Sequence, residues 1–145
     1  MIPKNVLFDV ARDLNEYQAE HPGVHNFCLG AVRQCLQKSH LYLPRFGLDF
    51  HSHDWAIDCG TYLAKHPVDS GKWHWSLVGT SFASIPTDQP SLVFFRDCGT
   101  LAGGGMAGHV GIYKPSNNHI VSDITEAMNP WWKQRVAFVF LPKFD

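Results

Sequence analysis

Apolar residues recur at helical spacing through the first half of the chain and at strand spacing through the second. Over residues 4–19, Val6, Leu7, Val10, Ala11, Leu14 and Tyr17 share one face, with Asp9, Arg12, Asp13 and Glu16 opposite. That spacing predicts an amphipathic helix, which His21-Pro22-Gly23 ends. A second helix is expected over residues 27–39, with Leu29, Val32, Cys35 and Leu36 on its apolar side and Asn26 as N-cap. A third starts near Ser52–Asp54, carries Trp55, Cys59, Tyr62 and Leu63, and stops at His66-Pro67. After Gly71 the pattern changes. Trp73, Trp75 and Leu77 alternate with polar or small residues, and residues 91–96 form a strongly apolar strand. Residues 99–108 are a glycine-rich loop. Strands are expected at 109–113, 119–124 and 135–141, and Met128-Asn129-Pro130-Trp131-Trp132 reads as loop. Helices first and an antiparallel meander afterwards predict one α+β domain over residues 1–145, with N-terminal helices packed on an antiparallel β-sheet.

Composition narrows the function. The chain has 145 residues, a one-domain length that supports a core without metal or disulfide staples. Its 45% apolar content excludes a disordered tail. Twelve Lys and Arg against thirteen Asp and Glu leave a net charge of −1. This argues against nucleic-acid or membrane-surface partners, which would want a basic surplus. No apolar run of transmembrane or leader type is present, so neither a signal peptide nor a membrane span is expected. Nine histidines, five tryptophans and four cysteines are the unusual features. Cys28, Cys35, Cys59 and Cys98 contain no Cys-x-x-Cys pair. Cys28 and Cys35 lie two helical turns apart, too far to bridge, while a Cys59–Cys98 disulfide stays open. His51-Ser52-His53 with His40, His66 and His74 completes no tetrahedral set, so neither metal nor cofactor is expected.

Two residues carry candidate chemistry. Cys28 falls in the first turn of a predicted helix, where unpaired N–H groups favour a thiolate. His109 opens a strand directly after the glycine loop, with Gly108 before it. A turn centred near Ser116-Asn117 brings positions 123–124 opposite 109–110, so Asp123 is placed to hold the imidazole. The competing account is structural: a helical cysteine often serves as a small buried hydrophobe, and a histidine at a strand start often only packs.

The words around these residues add to that reading. Gly108-His109-Val110-Gly111-Ile112-Tyr113 resembles the histidine strand of the papain-like cell-wall amidases, the CHAP and NlpC-type families. Asp54-Trp55-Ala56 fits the helix after the nucleophile, and Ser122-Asp123 resembles the Ser-Glu pair on the strand following the histidine in CHAP domains. The closing Phe138-Val139-Phe140-Leu141-Pro142 strand is similar as well, so the resemblance spans roughly residues 24–142. His25-Asn26-Phe27-Cys28 departs from the Gly-Gln-Cys and Asp-Cys-Ser-Gly words of those families.

The resemblance implies a papain-like fold and a cysteine amidase or endopeptidase acting on peptidoglycan stem peptides. Cys28 would be the nucleophile, His109 the acid–base, and Asp123 the orienting group, with His119 as a second candidate. Asn26 and the Cys28 backbone N–H would hold the oxyanion. Trp131 would be a substrate platform, and Gly108 part of the cleft wall. Such a protein would be made in the bacterial cytoplasm and act in the periplasm or cell wall after delivery or lysis. That suits an antibacterial effector, for which a cognate immunity protein is an expected partner, or a phage lysin. The alternatives are a hydrolase of another amide or thioester, and a non-catalytic or metal-binding module on the same fold.

Overall fold

The chain's structure, a computed structural model, describes residues 6–23, 28–44, 55–99 and 106–143. The helical half follows its apolar stripes. Helix α1 (Val6–Glu20) buries Leu7, Val10, Ala11, Leu14 and Tyr17, and α2 (Cys28–Lys38) buries Leu29, Val32, Cys35 and Leu36. Each such Leu or Val contributes about 1.5–3 kcal/mol on leaving water.

Helix α3 (Ala56–Lys65) begins later than its polar residues suggest, and Trp55 at its N-cap makes no side-chain capping bond. Instead the Ile57 N–H donates to the Ala107 carbonyl at 2.9 Å. A loop carbonyl thus takes the place of a capping side chain and ties α3 to the segment that enters the histidine strand. His66-Pro67 does end α3, but Pro67 also opens the six-residue α4 (Pro67–Lys72) from its first position.

Six strands follow: β1 (Trp75–Gly79), β2 (Ser91–Phe95), β3 (His109–Lys114), β4 (His119–Val121), β5 (Thr125–Ala127) and β6 (Val136–Pro142). They form one sheet in the order β1-β6-β2-β3-β4-β5, and every pair is antiparallel. The α+β expectation holds, with helices packed on an antiparallel sheet. Two details differ. The strand expected over 119–124 stops at Val121, bends, and resumes as β5. Residues 128–132 are not simply loop, because Pro130–Lys133 makes a one-turn helix, α5. Its cap is Asn129, whose Oδ1 accepts the Trp132 N–H at 3.1 Å.

The sheet has apolar cover on both faces. Leu92, Phe94, Val110, Ile112 and Phe140 meet the helices. Val93, Phe95, Tyr113, Ile120 and Val139 meet Ile85, Met128 and Trp132 on the other side. Every residue of β2 is therefore buried, which explains its continuous apolar run. All four cysteines are free thiols. Cys59 belongs to the helix-side cluster and Cys98 to the opposite one, so the sheet lies between them and no disulfide joins them.

Gly108 has φ +78°, and a Cβ there would meet the Phe95 carbonyl oxygen and Ile57 Cβ, each at 2.7 Å. Gly108→Ala should therefore cost upward of about 2 kcal/mol. Gly71→Ala, in α4 with nothing within 4 Å of the added carbon, should be neutral or stabilise by up to about 1 kcal/mol. Urea unfolding reads both, and equal midpoints would contradict the packing account of Gly108.

Candidate active site at the start of β3

The sheet register decides which side chains can meet. Strand β3 pairs with β4 through Ile112↔Val121, Tyr113↔Ile120 and Lys114↔His119. Continued, that register would set Val110 opposite Asp123, as the turn at 116–117 predicts. The ladder stops before it gets there. The Ser122 N–H donates to the Ile124 carbonyl at 2.9 Å, forming a bend. Helix α1 holds this bend from outside, since Gln18 Nε2 donates to the Ser122 carbonyl at 2.9 Å and to Thr125 Oγ1 at 3.0 Å.

Cys28 occupies the space beside the interrupted ladder. It is the first residue of α2 and half-buried, and its sulfur accepts from the backbone N–H groups of Val110 and Leu29. Asp123 is buried at 6% exposure. One of its oxygens accepts the Ile124 N–H at 3.1 Å. Its carboxylate acts electrostatically on Cys28, on His109 and on the Tyr17 hydroxyl. Asp123 is thus within electrostatic reach of both groups, but they lie on different faces: Cys28 packs with the helix-side cluster, and the His109 ring lies against Phe95 and Trp132 of the opposite one.

The His109 ring lies over Trp132 at 4.9 Å between centroids, and near Phe95, its neighbour across the β2–β3 pair, at 5.9 Å. Its Nε2 is fully buried and has no hydrogen-bond partner among the described residues. Trp132 is itself fixed, because its indole N–H donates to Glu126 Oε2 at 3.2 Å. Trp131 stands edge-on to Trp132 at 4.8 Å and is 47% exposed.

Burial dominates the electrostatics. It pushes the Cys28 thiol up to about 11, against the two N–H groups that pull the other way, with Asp123 adding to the rise. It pushes the His109 imidazole down to about 4, although Asp123 opposes this. The resting site thus holds a neutral thiol and a neutral imidazole. The thiolate expected at a helix N-terminus is not the resting form here, because desolvation outweighs the helix-end N–H groups.

The remaining candidates separate clearly. His119 pairs with Lys114 and Ala127, at the far end of β3 from His109. Five residues of strand, roughly 17 Å, lie between, which removes His119 from the orienting role. Gly108 is buried against Ile57 and Phe95. Asn26 and the His51-Ser52-His53 word lie outside the described residues. Among the described residues no group of three His, Cys, Asp or Glu is arranged to hold a metal, and no helix is long and apolar enough to cross a membrane.

The packing of Trp132 on His109, Glu126 and the Val110 N–H are not foreseen in the sequence. Asn129-Pro130 was a usable signal for the first, since Asn at the cap and Pro at the first position announce a helix start. The chain matches no family model, no curated protein and no solved structure.

The buried imidazole has a consequence for pH. Unfolded, His109 titrates near 6.5; folded, near 4. Between these values the unfolded chain binds more protons, so stability is complete above about 6.5 and falls as pH drops towards 4. This single group supplies up to roughly 3 kcal/mol of that loss. His109→Gln should flatten the slope, as read by urea unfolding at pH 7, 5.5 and 4.5. Parallel slopes in the two proteins would contradict a neutral buried imidazole.

Proposed function

We propose that this chain is a papain-like cysteine hydrolase that cleaves amide bonds, with bacterial peptidoglycan stem peptides as its substrate class. The observation that supports the reading is the buried Asp123 carboxylate, within electrostatic reach of both the Cys28 thiol and the His109 ring near the start of β3. A nucleophile, a base and a carboxylate that steadies the protonated base are the parts such a reaction needs. The His109 strand word and the Ser122-Asp123 pair supply the cell-wall resemblance.

In the proposed reaction His109 takes the Cys28 proton as sulfur attacks the amide carbonyl. The Cys28 backbone N–H and Asn26 donate to the resulting oxyanion. His109 then delivers its proton to the leaving amine, and the C–N bond breaks to give a thioester. Water, deprotonated by His109, attacks the thioester; carboxylic acid leaves and the thiol regains its proton. Asp123 stabilises the imidazolium formed in each half. As a lytic enzyme the protein would act in the periplasm or cell wall, as an effector checked by an immunity protein or as a lysin.

The neutral resting state of Cys28 and His109 favours a second reading, a non-catalytic module that keeps the fold. One experiment separates them. Digestion of purified peptidoglycan, followed by mass spectrometry of the fragments, should show new amine and carboxyl termini with the unaltered protein. Cys28→Ala should lower this release by at least about 100-fold. Cys35→Ala, which removes a core thiol 1% exposed, should retain catalysis and lose only stability. Unchanged release from Cys28→Ala would overturn the hydrolase reading, and no release from any form would favour the binding module.

A further inference from the structure

On the His109 face of the sheet stands a cation whose geometry is set and which no described carboxylate pairs. Arg135 Nε donates to the Asp97 carbonyl at 3.2 Å, and its Nη1 donates to the Trp131 carbonyl at 2.8 Å. The guanidinium lies over the Trp131 ring, with its carbon 3.8 Å from the ring centroid. Among the described residues no carboxylate pairs with it. The two nearby are engaged elsewhere: the Asp97 side chain meets Arg96 at 3.5 Å, and Glu126 accepts the Trp132 indole N–H. Nη2, with its two N–H donors, is left without a bond to a described residue.

Such a group is built to take an anion. Two carbonyls and an aromatic face hold it in one orientation, so little side-chain entropy is lost when a ligand arrives. Its position relates it to the chemistry: Arg135 stacks on Trp131, Trp131 abuts Trp132, and Trp132 packs on His109. We infer that Arg135, with the exposed indole of Trp131, is a specificity subsite for a free carboxylate on the substrate peptide. This rests on the proposal that Cys28 and His109 cleave a peptide amide, and it names which peptides are preferred.

A carboxylate fits better than a phosphate-rich ligand. Of the other cations nearby, Arg96 pairs with Asp97 and donates to the Val136 and Gln134 carbonyls, and Lys133 sits over Phe82. One planar guanidinium with one open side matches one planar carboxylate. A polyanion would want several free cations.

Binding should be measured on Cys28→Ala, so that no turnover intervenes. The probes are N-acetyl-lysyl-D-alanyl-D-alanine with a free C-terminal carboxylate, and the same peptide as its C-terminal amide. The acid should bind at least about tenfold more tightly, the effect of one charge-assisted hydrogen-bonded contact. Adding Arg135→Gln should weaken the acid to the level of the amide and leave the amide unchanged, while Arg135→Lys should keep part of the preference. The acid–amide comparison needs no change at Arg135, so a misfolded Arg135 variant does not hide the answer. Equal binding of the two probes, or binding of neither, overturns the subsite. Selective binding by a protein that cleaves nothing would keep the subsite and sink the hydrolase. Cleavage without acid preference would do the reverse.

Discussion

The site depends on a ladder that stops early. Strand β4 follows β3 through Val121, and one more pair would engage the β3 backbone near Val110. The bend at Ser122 prevents it. Three things follow from that interruption. The Val110 N–H becomes available to the Cys28 sulfur. Asp123 enters the gap as a buried carboxylate within electrostatic reach of Cys28 and His109. Helix α1 gains a role, because Gln18 bonds the bend at the Ser122 carbonyl. Gly111 belongs to the same constraint: a Cβ there would meet Ile120 Cγ2 at 2.6 Å and the Val121 carbonyl oxygen at 3.0 Å. A larger residue would push β4 away before the bend, and the carboxylate with it.

Burial then selects the chemistry available. Phe95 and Trp132 surround an imidazole whose Nε2 has no partner among the described residues, so a charge on that ring is costly until something offsets it. The thiol is in the same position. A preformed thiolate–imidazolium pair is therefore not the resting state. On the hydrolase reading, the proton moves as the sulfur attacks: a neutral imidazole can accept it, and Asp123 lowers the cost of the charge that appears. The two backbone N–H groups at the sulfur act in the same direction, since each favours negative charge there. On that reading the arrangement separates rest from reaction, with few charges in the resting site and compensated charges during turnover.

Much of this was legible in the chain because it is local. The stripes of α1 and α2 needed only helical spacing, and the tight turn at 116–117 sufficed to align residue 123 with 110. What escaped depends on contacts between distant segments. The start of α3 is set by the Ala107 carbonyl rather than by a capping side chain, so polar residues at 52–54 were a misleading guide. The split of 119–124 depends on Gln18, more than a hundred residues away. Alternation in β2 places Phe94 towards the helices and Phe95 away from them. That separates Cys59 from Cys98, but the strand is apolar throughout and its facing cannot be read without partners. Arg135 looked like an ordinary strand-start cation until Trp131 and Asp97 were found around it.

The histidines show why counting residues was a poor guide to the chemistry. His21, His40, His66 and His74 follow the ends of α1, α2, α3 and α4 in turn. His21 and His66 repeat one local motif. Each stacks on a tyrosine four residues earlier, at 4.2 and 4.0 Å, and its Nδ1 lies about 3 Å from that tyrosine's carbonyl. His40 and His74 instead adopt φ of 59° and 68°, the left-handed conformation that terminates helices. Imidazole is well suited to these places because helix C-termini present unpaired carbonyls and partial negative charge. His109 differs in kind: it sits at a strand start, with its Nε2 sealed from water and unpartnered among the described residues and a carboxylate within electrostatic reach. Nothing in its own backbone requires a histidine there. On the hydrolase reading, such a residue is explained by what it does rather than by what it holds together.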